Sequence, residues 1–190
     1  MLVAHNNSGR NGPHHVKERK TMSLSMYRAS IPVFIRGLEV CSSLLEKGAA
    51  FADEKGLAHA DVIAARLAPD MLPLAAQIQR ASDTAKLSAQ RLSGVDAPKF
   101  EDNEDSFAAL QERIAKTIAY LKSIQEAAME GSETRTVTLK FPDFSPSFSG
   151  VDYLFGFGLP NFYFHVATTH DILRHLGAPI GKRDYLGPLK

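Results

Sequence analysis

The chain has no tryptophan, one cysteine and almost no net charge, and each scarcity narrows what it is. Cys41 alone cannot form an intramolecular disulfide, which excludes a stapled secreted scaffold and points to a reducing compartment, the cytoplasm. Its 22 Lys and Arg residues against 21 Asp and Glu leave +1, without the basic stripe of a nucleic-acid binder. No apolar run approaches the roughly 20 residues of a membrane-spanning helix, so neither nucleic acid nor membrane is expected as a partner. Catalytic signatures are also missing. There is no Gly-x-Ser-x-Gly elbow, no His-Glu-x-x-His and no Cys-x-x-Cys. Gly177–Arg183 imitates a phosphate loop, but it has three residues between its glycines and no hydroxyl after Lys182. The acidic run at Asp96, Glu101, Asp102, Glu104 and Asp105 lacks the spacing and central glycine of a calcium loop.

What is present is helical periodicity. Residues 1–21 stand apart as a polar extension, with Arg10, Lys17, Arg19 and Lys20 against Glu18, and are read as disordered. Residues 22–190 read as one domain. Tyr27, Ile31, Phe34, Leu38, Cys41, Leu45 and Ala49 recur at three- and four-residue spacing and predict a first long helix from about Ser30, because of Pro32, to Gly56. A short helix from Asp61 to Arg66 follows. The second long helix is expected over 71–92, with Leu74, Ile78, Ala81, Ala85, Ser88 and Leu92 inward. Gln79, Asp83, Lys86 and Gln90 form its opposite, solvated face with an Asp83–Lys86 pair. Phe107, Leu110, Ile114, Ile118, Leu121 and Ile124 mark a third helix over 103–129, its acidic N-terminus favourable to the helix dipole. The period then changes. Val137, Leu139 and Phe141 alternate with polar residues as a short strand, residues 148–155 return as a second, and a last helix runs over 160–176. Four long one-sided helices close a core only as a bundle, so the fold class is all-α, a four-helix bundle with a short β-hairpin between helices three and four.

Of seven histidines, three lie on the last helix at 165, 170 and 175. Spaced by five, each is turned roughly 140° from the one before, so a regular helix cannot bring all three to one ion. His165 alone falls on the edge of the inward stripe of Phe162, Val166, Thr169, Leu173 and Leu176. It is either a core imidazole hydrogen-bonded to a neighbour or a ligand and acid–base group. Nine aromatic residues crowd 141–164. They pack the hairpin on the bundle, line an apolar pocket beside His165, or form a dimer surface.

The segments Leu159–His165 and Gly181–Gly187, and Pro69-Asp70-Met71 with Gln77 and Gln79, resemble a domain-of-unknown-function family grouped with the DinB-like (DinB/YfiT) four-helix bundles. The likeness covers about 26–187. It implies a homodimer. It also implies a divalent metal held by one histidine of the second long helix and a His-x-x-x-His pair of the last. Here the second helix has no histidine, and Thr169 stands four residues after His165, so only His165 carries over as a metal ligand. The expected protein is a small-molecule-binding or interaction bundle without the three-histidine site, needing no cofactor. Its pocket candidates are His165, Phe162, Asn161 and Tyr153. The rival is a divergent hydrolase or transferase in which His165 helps hold Zn²⁺, Ni²⁺ or Fe²⁺ and the metal activates water or a thiol. Oligomerisation alone is the third reading.

Overall fold

The computed structural model describes residues 24–188. The extension expected over 1–21 lies outside them. Four long helices carry the fold: α1 (Met26–Lys55), α3 (Leu74–Ser93), α4 (Phe107–Ser123) and α6 (Leu159–His175). The short α2 (His59–Ala64) precedes α3. The strands β1 (Thr136–Thr138) and β2 (Ser147–Ser149) and the turn of helix α5 (Gly150–Tyr153) lie between α4 and α6, and α7 (Lys182–Leu186) closes the chain. Helix α1 packs on α4 and α6, and α3 packs on the same two, so sequence neighbours α1 and α3 face each other diagonally. The topology is therefore not simple up-down-up-down. The strands pair antiparallel with Val137 opposite Phe148.

The apolar stripes enter one core. Ile31, Phe34, Leu38, Cys41 and Leu45 of α1 are buried there with Leu74, Ile78, Ala81 and Leu92 of α3, Leu110 and Leu121 of α4, and Phe162 and Leu173 of α6. Gly37 permits one tight contact. A Cβ there would stand 2.3 Å from the Phe162 ring, which meets Phe34 edge-on at 5.0 Å.

Boundaries shifted where local chemistry outranked periodicity. Helix α1 starts at Met26, before Pro32, because the Ser25 hydroxyl accepts from the Arg28 amide (3.2 Å) and donates to Glu126 (2.7 Å). The helix tolerates Pro32 in its interior since the packed stripe outweighs one missing hydrogen bond. Helix α3 waits until Leu74, after Pro73, and α4 begins behind the Ser106 cap and gives way to a 3₁₀ turn at Glu126–Met129. The second strand is shorter than expected. Ser149 caps α5 through the Asp152 amide, and Gly150 presses so close to the Ser132 carbonyl that a Cβ would lie 1.8 Å from its oxygen. From Gly150 to His175 the backbone is one helix with a π-turn at Leu154–Gly158. Pro160 explains the widening. Its ring opposes the Gly156 carbonyl, and the Leu159 amide instead reaches back five residues to the Leu154 carbonyl.

Candidate functional site: a polar seam between α3 and α6

Helices α3 and α6 meet along a row of polar side chains inside an otherwise apolar interface. On α3 the row is Gln77, Thr84, Ser88 and Arg91, residues at heptad-like spacing on one face. Opposite them, running back along the last helix, stand His165, Asn161 and Tyr153. His165 Nδ1 lies 2.7 Å from Gln77 Oε1, and Gln77 Nε2 donates to the Leu72 carbonyl at 2.9 Å. With the amide nitrogen committed to Leu72, Gln77 presents an acceptor, so Nδ1 carries the imidazole proton. Asn161 Nδ2 donates to Thr84 Oγ1 at 2.7 Å. The Tyr153 hydroxyl accepts from Arg91 (2.9 Å) and shares a hydrogen bond with Ser88 Oγ (2.8 Å).

Three of the four pocket candidates thus lie on one line, bonded across the interface. Phe162 lies apart, wholly buried against Phe34 and Gly37. His165 is 8% exposed, and burial together with the positive charge of Arg80 pushes its pKa down from 6.5 to about 4. It is a neutral ring whose one hydrogen bond to a described residue is made by Nδ1. Its carbonyl accepts from Thr169 Oγ1 at 2.9 Å.

The fold family implies a divalent metal, but the donors here do not fit one. A zinc-type site takes three protein ligands, mostly imidazole, thiolate or carboxylate. The ring of His165 bonds an amide, Gln77, through Nδ1, which leaves Nε2 as its one nitrogen able to reach an ion, a single such donor where three are needed. The described residues contain no group of three or more His, Cys, Asp or Glu side chains placed to hold an ion. His170 points elsewhere, its Nδ1 2.9 Å from Asp171 and its ring beside Tyr185, with Nε2 buried and unpartnered among the described residues. His175 is exposed in the last turn of α6. Cys41 is sealed in the core, and burial raises its pKa to about 12, so it is an unreactive thiol.

One expectation is corrected outright. The Gln79–Gln90 side of α3 is not a solvated face along its length. The Asp83–Lys86 pair forms at 3.0 Å, but Lys86 and Gln79 are buried beneath the 94–106 connection. Arg113 of α4, with 1% of its side chain exposed, binds Asp83 (2.8 Å), Asp102 (2.7 Å) and Glu104 (2.9 Å) and lies 4.9 Å from the Phe100 ring centre. Asp102 and Glu104 therefore serve Arg113 and not the α4 dipole. Burial alone would raise the Glu104 pKa, yet hydrogen bonds from Arg113 and Gln79 hold it below the usual carboxylate value. Arg113 lies one residue off the α4 apolar stripe, next to Ile114.

Three open spaces lie away from the seam. A cleft of about 710 Å³ runs between α1 and the C-terminal segment, bordered by Pro32, Ile35, Arg36, Val40, Arg183 and Asp184 among others. A smaller hollow of about 260 Å³ lies on the other side of α7, against Tyr163 and Tyr185. A third, of about 540 Å³, lies at the start of α1 near Met129 and Phe155. None of these three is lined by His165, Asn161, Tyr153 or Phe162. Among the described residues no helix is long and apolar enough to cross a membrane.

Comparison with known proteins agrees with this architecture. The family described as Domain of unknown function (DUF1993) matches residues 26–186. A solved structure of a DinB family member from Shewanella denitrificans superposes with a TM-score of 0.80 at 34% identity, covering 86% of this chain and 92% of that one. No curated protein matches.

Proposed function

Because the chain belongs to the DUF1993 family and has the DinB-like helical fold, we propose that it is a small-molecule-binding or interaction protein that works without a three-histidine metal centre. The observation that carries this reading is the direct 2.7 Å contact between His165 and Gln77. A metal in such a bundle ties the second long helix to the last. Here an amide–imidazole hydrogen bond makes the same tie, and the neutral ring needs no ion to be stable where it is. The buried, unreactive Cys41 suits a reducing cytoplasm. For a macromolecular partner we propose a second copy of the chain, supported by the exposed aromatic rings of Phe155, in the π-turn, and Phe164, on α6.

The test is elemental analysis of the untagged full-length protein, grown with added zinc, nickel and iron, beside the His165→Ala variant. The expected result is less than about one-tenth of a metal per chain in both. Stoichiometric metal that disappears in His165→Ala would overturn the proposal and leave the rival, a metal-dependent hydrolase or transferase, in its place.

A further inference from the structure

We propose that the cleft between α1 and the C-terminal segment binds an amphipathic organic monoanion, its apolar body on Pro32, Ile35 and Val40 and its charged group between Arg36 and Arg183. This rests on the binding-protein reading above and gives that reading a site and a ligand class. At about 710 Å³ the cleft falls within the range of small-molecule pockets, roughly 300–1,000 Å³.

Its second wall is tied down. Asp184 pairs with Lys47 and accepts from the Gly181 amide at 2.7 Å. Arg36 donates to the Leu186 carbonyl at 2.7 Å, and Arg174 to the Ile180 carbonyl at 2.8 Å. Gly187 takes a left-handed φ of 66°, and a Cβ there would come within 3.1 Å of Val40. A wall held at several points loses little freedom when a ligand arrives.

The charges specify the ligand. Three cations, Arg36, Lys47 and Arg183, and two carboxylates, Glu39 and Asp184, line the cleft. Lys47 and Asp184 neutralise each other. Among the described residues neither Arg36 nor Arg183 has a carboxylate at ion-pair distance, and Glu39 has no cation. Two guanidinium groups without a carboxylate partner, Arg36 donating only to the Leu186 carbonyl, stand against one carboxylate and leave a surplus of one positive charge. Guanidinium forks suit carboxylate-like groups, and Glu39 disfavours a second negative charge on the ligand.

The probe is 8-anilinonaphthalene-1-sulfonate, titrated by fluorescence into the full-length protein and displaced with octanoate. One saturable site per chain is expected. Arg183→Ala should weaken it about three- to fivefold, while Glu39→Gln should tighten it by a similar factor, both being surface changes that leave the fold intact. Dodecyltrimethylammonium, an amphipathic cation, should not displace the probe. Absence of saturable binding, equal affinity of all three proteins, or displacement by the cation as readily as by octanoate would overturn the assignment. None of these results bears on metal content, so the site and the non-metal reading fail separately.

Discussion

His165 shows how one substitution pattern redirects a side chain. An imidazole on the inward edge of α6, faced by Gln77 of a helix that carries no histidine, becomes a hydrogen-bonded core group. Its depressed pKa has a consequence for stability. Between the ordinary value near 6.5 and the folded value near 4, the unfolded chain binds a proton that the native ring refuses. Stability from this group is therefore complete above pH 6.5 and is lost as pH falls toward 4, by an amount on the order of 3 kcal/mol. Urea unfolding at pH 7.5, 6 and 5 should show this decline in the wild type. His165→Gln, which keeps a donor for Gln77 but cannot titrate, should flatten it. An equal slope in both proteins would show that other groups set the acid limit.

At the scale of the element, the last helix is held by its polar seam as well as by its apolar face. Tyr153 sits on the turn before the π-segment, and its hydroxyl joins Ser88 and Arg91 of α3 where the helix widens. This bond fixes the rotation of the α5 turn relative to α6. Tyr153→Phe is expected to cost about 1–2 kcal/mol, since it leaves the buried Ser88 hydroxyl without that partner. In a double-mutant cycle with Ser88→Ala the coupling should be about 1 kcal/mol by urea denaturation. Additive losses would mean that the two hydroxyls merely coexist. The same element explains a misreading. Residues 150–155, expected as strand, are helix, and the two glycines and Pro160 that usually break a helix are absorbed by one wide turn. The Ser149-x-x-Asp152 spacing was the available signal that helix begins at Gly150.

Across the whole molecule, Arg113 is the tie between layers. It gathers Asp83 from α3 and Asp102 and Glu104 from the connection over the bundle, so that residues as far apart as Asp83 and Glu104 share one buried cation. Removing it leaves Glu104 with only the Gln79 amide, and Asp83 and Asp102 with the less direct cations Lys86 and Arg80. Arg113→Met is expected to destabilise the protein by about 3 kcal/mol, and Arg113→Lys, which keeps the charge but not the fork, by less. Calorimetry or urea denaturation checks this, and a loss below about 1 kcal/mol in Arg113→Met would show that the connection does not depend on the cluster.

The four long helices, their inward stripes and the hairpin between the third and fourth were legible in the sequence, because one-sided apolar periodicity has no other stable use in a chain of this length. So was the divergence of the three α6 histidines, which follows from helical pitch alone. Partnership was not legible. That Gln77 meets His165 across 88 positions, that Arg113 turns inward from the edge of a stripe, and that the C-terminal segment folds back on α1 to wall a cleft all depend on which helices become neighbours. Periodicity tells each helix which face to bury. Only packing decides which polar groups are buried together, and that choice made a structural tie of the residue closest to a catalytic one.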